Sequence, residues 1–300
     1  MKEIKEEPNI EDSTLKNNKH YEVREIKLKF KGIDRINDME PLVHIISNLV
    51  TMNDVAQSLS FLGAKPIMPH YYKDVQYITK NSDGLVINLG TMDSFREEGI
   101  LEAANIANKN SIPWVLDPVG IHGSYYRQST AINLIEKYKP YVIKGNLSEI
   151  KSILNKNSVY KGIDSLEDSL LSQEDIQKYI EDYARLNNVV IAVTGEVDFI
   201  TDGRKSYYVH NGNKAMSRVT GTGCILSALI GAFISVERDD LALAVVEAIS
   251  FWGIIGEICR ENLKNNEGLN TYRFKLLDKI SIISKEDLIR RARVTYRCIR

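Results

Sequence analysis

The chain predicts an α/β fold with one mostly parallel central sheet and helices on both of its faces. Three observations carry that expectation. Short β-branched and aliphatic runs alternate with longer amphipathic stretches from residue 41 to residue 194, and strands that alternate with helices need crossover connections between parallel neighbours. These runs are apolar nearly throughout, as in strands covered on both sides. Asn48, Met68, Asn88, Asp117, Asn146 and Thr194 each stand at or just beyond the end of a predicted strand, the edge where ligands bind in open α/β sheets.

Taken in order, residues 1–27 are rich in Lys, Glu, Asp and Asn and poor in apolar positions, so they read as a charged, flexible extension. Their acidic residues argue against an organelle transit peptide. Residues 28–300 read as a single domain, because no Pro/Gly/Ser linker or internal repeat divides them. Residues 41–47 predict a strand and 53–62 a helix stopped by Gly63. A short strand follows at 65–68, then strand 84–89 and helix 95–108, then strand 113–117 and helix 130–137. The buried runs 141–143 and 189–194 flank a helix at 174–186. Between them, residues 156–172 hold enough Lys, Asn and Ser to read as a long surface loop. Such a loop is a candidate lid, since water competes with any alcohol for a phosphoryl group. Helical patterns close the series at 225–234 and 241–259; Phe251 and Trp252 on the latter read as core or subunit packing.

Composition narrows the function. With 300 residues, 43% hydrophobic and 26% charged, and a net charge of −1, the chain has no electrostatic case for nucleic acid or an acidic membrane, and small-molecule partners are favoured. Its three cysteines form neither a paired framework nor a metal-ligand spacing, which fits a reducing compartment. No apolar run approaches a membrane span and no signal-peptide core is evident. The cytoplasm is the expectation.

The chemistry gathers at Val219-Thr220-Gly221-Thr222-Gly223-Cys224, which runs straight into the apolar helix pattern. Backbone N–H groups at a helix start are unpaired, glycines let a ligand approach them, and the helix dipole favours negative charge there. Gly221, Thr222 and Gly223 thus outline an anion site suited to a phosphoryl group. A tight loop-to-helix junction with a buried cysteine fits the same residues.

Further segments join it: PLVHIISN at 41–48, LGAKPIM at 62–68, LVINLGT at 85–91, LDPVG at 116–120, KGNLSEI at 144–150, VTGEVD at 193–198 and VTGTGCIL at 219–226. Together, and in this order across residues 35–285, they resemble the hydroxyethylthiazole kinases of the ribokinase-like superfamily. The resemblance implies a single-domain ribokinase-like fold and ATP- and Mg²⁺-dependent phosphorylation of the primary alcohol of 4-methyl-5-(2-hydroxyethyl)thiazole, a step of thiamine synthesis and salvage. It implies a homotrimer with sites shared between neighbouring subunits.

It also assigns roles. Gly221 would hold substrate and phosphoryl group, with Thr222, Gly223 and Cys224 offering the anion hole. Cys224 stands where sugar kinases of the superfamily carry an aspartate base, so it would accept or orient the substrate hydroxyl proton; a helix N-terminus assists a thiol in giving up its own. Asn48 and Met68 would contact the thiazole, the one fixing a ring nitrogen or hydroxyl and the other forming an adaptable wall. Lys144 and Thr194 would contact the nucleotide, Lys144 standing where most of the family has an arginine. Glu149, in Asn146-Leu147-Ser148-Glu149, and Asp117 would hold Mg²⁺ directly or through water. Glu149 also fits a first-turn glutamate facing the helix dipole, and Asp117 a turn cap. His122 reads as a loop residue. Two alternatives stay open: another ribokinase-like enzyme, such as a hydroxymethylpyrimidine kinase or a nicotinamide-nucleotide-hydrate dehydratase, and a non-catalytic binding protein.

Overall fold

The computed structural model describes residues 22–155 and 172–299. Most of the charged extension, residues 1–21, and the candidate lid at 156–171 lie outside them. Among the described residues, ten strands form one sheet: β1 (Arg24–Glu25), β2 (Leu42–Ile46), β3 (Lys65–Ile67), β4 (Gly84–Asn88), β5 (Trp114–Asp117), β6 (Val142–Asn146), β7 (Val190–Thr194), β8 (Asp198–Thr201), β9 (Lys205–Val209) and β10 (Val294–Cys298). Their spatial order is β1-β10-β9-β8-β7-β6-β5-β4-β2-β3. The block from β3 to β7 is parallel, as expected, with Asn88 opposite Asp117 and Asn146 opposite Thr194. The four strands beyond it run antiparallel, a half that strand–helix alternation did not predict.

Helices α1 (Lys31–Met39), α2 (Met52–Leu62), α3 (Tyr72–Lys80), α4 (Ser94–Lys109), α5 (Tyr125–Tyr138), α6 (Leu147–Leu154), α7 (Gln173–Asn187), α8 (Thr222–Val236), α9 (Leu241–Glu261), α10 (Leu269–Ile282) and α11 (Lys285–Arg291) cover both faces. Side chains alternate across a strand, and the alternation sorts two cores. Val43, Val86, Val115, Val142 and Val190 pack beneath the layer containing α2, α8, α9 and α10. Ile46, Ile87, Leu116, Ile143 and Ile191 pack against α3 to α7.

Helix α8 is apolar all round and buried from Ile225 to Val236, the pattern of a helix enclosed by protein. It lies close on the sheet at Gly231, where a Cβ would come within 2.3 Å of Val86 Cγ2. Helix α9 is long and apolar enough to cross a membrane, yet 89% of its apolar window is buried in the protein. Core packing accounts for its composition. The helix expected at 130–137 starts earlier, at Tyr125, where Ser124 caps it by accepting the Arg127 N–H.

Candidate active site

The carboxyl ends of the parallel strands meet the start of α8. Just past β2, Asn48 Oδ1 accepts the N–H groups of Val50 and Thr51 and the Thr51 hydroxyl, each at 3.1 Å, an Asx-type turn that opens α2. Its Nδ2 then donates to Cys224 Sγ at 3.1 Å and lies 3.3 Å from Asn88 Oδ1. Asn88, ending β4, donates Nδ2 to Asp117 Oδ2 at 2.8 Å and approaches Cys224 Sγ at 3.4 Å. Asp117, ending β5, is fully buried. Its Oδ2 also accepts the Ser227 hydroxyl at 2.7 Å and faces Lys144 Nζ at 3.5 Å. Its Oδ1 has no partner among the described residues.

The helix start is shaped by Gly221, whose φ of +98° favours glycine and whose Cβ position is 2.8 Å from the Thr51 methyl. The Ile225 N–H closes on the Gly221 carbonyl at 2.9 Å, and the Thr222 N–H leans toward the Val219 carbonyl at 3.5 Å. Among the described residues, the N–H groups of Gly223 and Cys224 therefore have no acceptor, and of the three amides expected to form an anion hole the Thr222 N–H is the one turned to a carbonyl. The Thr222 hydroxyl turns away to the Met216 carbonyl at 3.0 Å. From α9, the Trp252 indole N–H braces the Thr222 carbonyl at 3.1 Å.

Lys144, on β6 and 5% exposed, donates Nζ to the Gly223 carbonyl at 3.0 Å. This places an ammonium beside the unpaired N–H groups and next to Asp117, a buried charge paired as burial requires. Glu149 is drawn into local structure. It forms a capping box with Asn146, its Oε2 accepting the Asn146 N–H at 2.9 Å while Asn146 Oδ1 accepts the Glu149 N–H at 3.0 Å. Its Oε1 accepts the Gly120 N–H at 3.0 Å, so each carboxylate oxygen already carries a backbone donor. Met68 directly follows the end of β3, half-buried against the core under α8.

Thr194 and Asp198 line a cleft of about 720 Å³ that reaches Thr222, Gly223, Asn211 and Trp252. Burial pushes the Asp198 carboxyl up to about 6, against the opposing pull of the Gly195 N–H at 2.9 Å and the Lys144 charge. On the other side of the site, His44 is fully buried. Its Nε2 lies 2.8 Å from the Pro69 carbonyl, a pure acceptor, so Nε2 carries the proton and Nδ1 accepts from the Thr79 hydroxyl at 2.8 Å. Burial holds its pKa down at about 4. His122 is exposed in a 3₁₀ turn and belongs to no such network.

Asn48, Asp117, Lys144 and Cys224 are thus brought together, Gly221 to Gly223 form the rim, and Thr194 lines the adjoining cleft. Ser227 escaped sequence reasoning, although its place three residues after Cys224 puts both on one helix face. No group of three or more His, Cys, Asp or Glu side chains gathers for a metal among the described residues.

The model of the hydroxyethylthiazole kinase family matches residues 33–286. A hydroxyethylthiazole kinase of Clostridium perfringens is 43% identical over 258 residues, 85% of this chain and 97% of that one. The solved hydroxyethylthiazole kinase of Pyrococcus horikoshii superposes with a TM-score of 0.79 at 34% identity, covering 90% of this chain and 98% of that one. A ribokinase-like superfamily protein of Enterococcus faecalis shares the fold, with a TM-score of 0.54 at 13% identity, covering 80% of this chain and 86% of that one.

Proposed function

This chain belongs to the hydroxyethylthiazole kinase family, and from that membership we propose how its residues divide the work. The enzyme phosphorylates the alcohol of hydroxyethylthiazole in thiamine biosynthesis, an ATP-dependent transfer. The observation that carries the residue assignment is the convergence of Asn48 and Asn88 on Cys224 beside two unpaired N–H groups.

The substrate's alcohol oxygen attacks the γ-phosphorus, the bond from that phosphorus to the β,γ-bridging oxygen breaks, and ADP leaves with the electron pair. Cys224 Sγ, aimed by the two amides, takes or orients the hydroxyl proton. The N–H groups of Gly223 and Cys224, the N-terminal end of the α8 dipole and the Lys144 ammonium balance charge on the transferring group. The nucleotide lies in the Thr194 cleft, and Met68, Asn48 and Gly221 border the thiazole. Mg²⁺ fits the donor set, because Asp117 offers an unshared carboxylate oxygen and Mg²⁺ needs few protein carboxylates. Asp117 would hold it with Glu149 acting through water, and when bound it supplies neutralisation of the polyphosphate charge.

The assembly is a homotrimer whose sites lie between subunits. Supporting it, Leu49 and Val50, directly after Asn48, are 59% and 78% exposed, and Phe95 is 66% exposed; apolar side chains left bare beside a site fit a subunit contact. Residues 28–300 act as one kinase domain. The cytoplasm, where ATP is available, suits its unpaired cysteines.

Mass spectrometry of products from hydroxyethylthiazole, ATP and Mg²⁺ tests the assignment, beside hydroxymethylpyrimidine and no-acceptor controls. Thiazole phosphate that depends on the acceptor is expected. Phosphate on the pyrimidine alone, or ligand-raised melting without turnover, would overturn it.

A further inference from the structure

The family match ends at residue 286, yet the chain runs on through the end of α11 into β10, and this last stretch grips the wall of the cleft. Asn211, 3% exposed, lines the cleft. Its Nδ2 donates to the Arg291 carbonyl at 2.9 Å and its Oδ1 accepts the Arg293 N–H at 2.9 Å, so both ends of the amide are engaged by the C-terminal segment. Arg293 reaches further. Its guanidinium donates to Glu257 Oε1 at 2.7 Å and Oε2 at 3.3 Å, and to the His210 carbonyl at 2.7 Å.

Glu257 Oε1 also accepts the N–H of Gly212, the next residue of the cleft wall, at 2.8 Å. Glu257 belongs to α9, one turn beyond Gly253, where a Cβ would come within 2.7 Å of the Asn211 carbonyl. The wall therefore lies directly on α9, and Trp252 of the same helix braces the start of α8. A two-pronged guanidinium–carboxylate contact fixes orientation as well as distance. Here it locks the 210–212 backbone between β10 and α9.

We propose that Arg293 is a positioning residue for ATP. Through the His210 carbonyl and Glu257 its guanidinium holds the cleft wall in its nucleotide-binding shape without touching the nucleotide. This rests on reading the Thr194 cleft as the ATP site. The Arg293 side chain is 55% exposed and Glu257 keeps the Gly212 N–H without it, while the wall loses the guanidinium that joins the His210 carbonyl to Glu257.

Steady-state kinetics of the full chain, with ATP and hydroxyethylthiazole varied in turn, tests the proposal on Arg293→Met and Arg293→Lys, with melting temperatures alongside. Gly195→Trp serves as a reference that fills the cleft, since a Cβ at Gly195 meets only ordinary contact. Arg293→Met is expected to raise KM for ATP about tenfold, with kcat and KM for the thiazole within about twofold, and Arg293→Lys to recover part of the loss. An unchanged KM for ATP in Arg293→Met, beside a raised one in Gly195→Trp, overturns the positioning role and leaves the cleft reading standing. If kcat and the melting temperature fall while both KM values rise together, Arg293 is structural only. If Gly195→Trp leaves KM for ATP unchanged, the cleft is not the ATP site and the proposal falls with that reading.

Discussion

What faces the sulfur of Cys224 is a pair of carboxamides rather than a carboxylate: Asp117 is one residue removed, its Oδ2 held by Asn88, Ser227 and Lys144. In the proposed mechanism Cys224 meets the substrate hydroxyl, and removing it should cost rate more than binding. Cys224→Ala is expected to lower kcat about 10²-fold or more with KM for ATP little changed, the size of a lost general base; wild-type kcat in that variant removes the thiol from the mechanism. Lys144 has a different constraint. Its Nζ is 3.4 Å from the Cβ position of Gly223 and already donates to that residue's carbonyl, which leaves little room for a guanidinium. Lys144→Arg is therefore expected to reduce kcat about tenfold by crowding the helix start, and a rate equal to wild type would show that the cleft accepts the fork. Asp117, Lys144 and Cys224 were legible as candidates, Asp117 from its strand end, Cys224 from the helix start and Lys144 from the KGNLSEI segment. Their partnership was not, since it depends on a helix start meeting strand ends some 80 to 110 residues away in sequence. Glu149 shows the converse: Asn-x-x-Glu reads equally as a metal motif and a capping box, and the capping contacts are the ones formed.

At the scale of elements, the parallel half of the sheet was readable because most of its strands are built on apolar runs such as Gly84–Asn88 and Val190–Thr194 and helices connect them. The antiparallel half was not. Its strands β8 and β9 are short and mix polar with apolar residues, while β10 is paired to a strand some 85 residues earlier. One local signal was present: Asp202 and Gly203, with φ of +79° at the glycine, form the tight connection between β8 and β9, and Asp-Gly between alternating residues marks a hairpin. Helices α1 and α3 escaped because so little of each is buried, only Gly32 and Ile36 in one and Val75 and Thr79 in the other. Helix α8 was legible throughout, and its seat on the sheet gives a prediction. A methyl group at Gly231 would overlap Val86 Cγ2, and the close-packed interior cannot absorb it without a shift of helix or strand. Gly231→Ala is expected to destabilise the fold by about 1–3 kcal/mol in urea unfolding, and because the proposed anion site lies at the start of α8, kcat should fall as well. Unchanged stability would mean that α8 sits less tightly on β4 than these contacts require.

Over the whole molecule, two shifted titrations, one at a buried and one at a half-buried group, act on stability in opposite directions within one pH window. His44, held at about 4 in the fold against an ordinary 6.5, is buried neutral; its contribution is complete above 6.5 and is lost as the pH falls toward 4. Asp198, raised to about 6 from 3.8, is the reverse case; its contribution is complete below 3.8 and is lost as the pH rises through 6, where the fold must carry the charge. At about 1.4 kcal/mol per unit, the shifts correspond to at most about 3–4 kcal/mol for His44 and about 3 kcal/mol for Asp198. Between pH 6.5 and 4 the His44 loss and the Asp198 gain offset one another, so neither is visible in the wild-type profile alone. Asp198→Asn separates them, because an amide oxygen can still accept the Gly195 N–H while the titration disappears. The variant is expected to be more stable than wild type by about 1–3 kcal/mol at pH 7.5, and to lose that advantage progressively as the pH falls to 4, leaving the steeper acid slope of His44 exposed. Urea unfolding of both proteins across that range measures the difference directly. An advantage that stays constant with pH would mean that Asp198 does not titrate in this window.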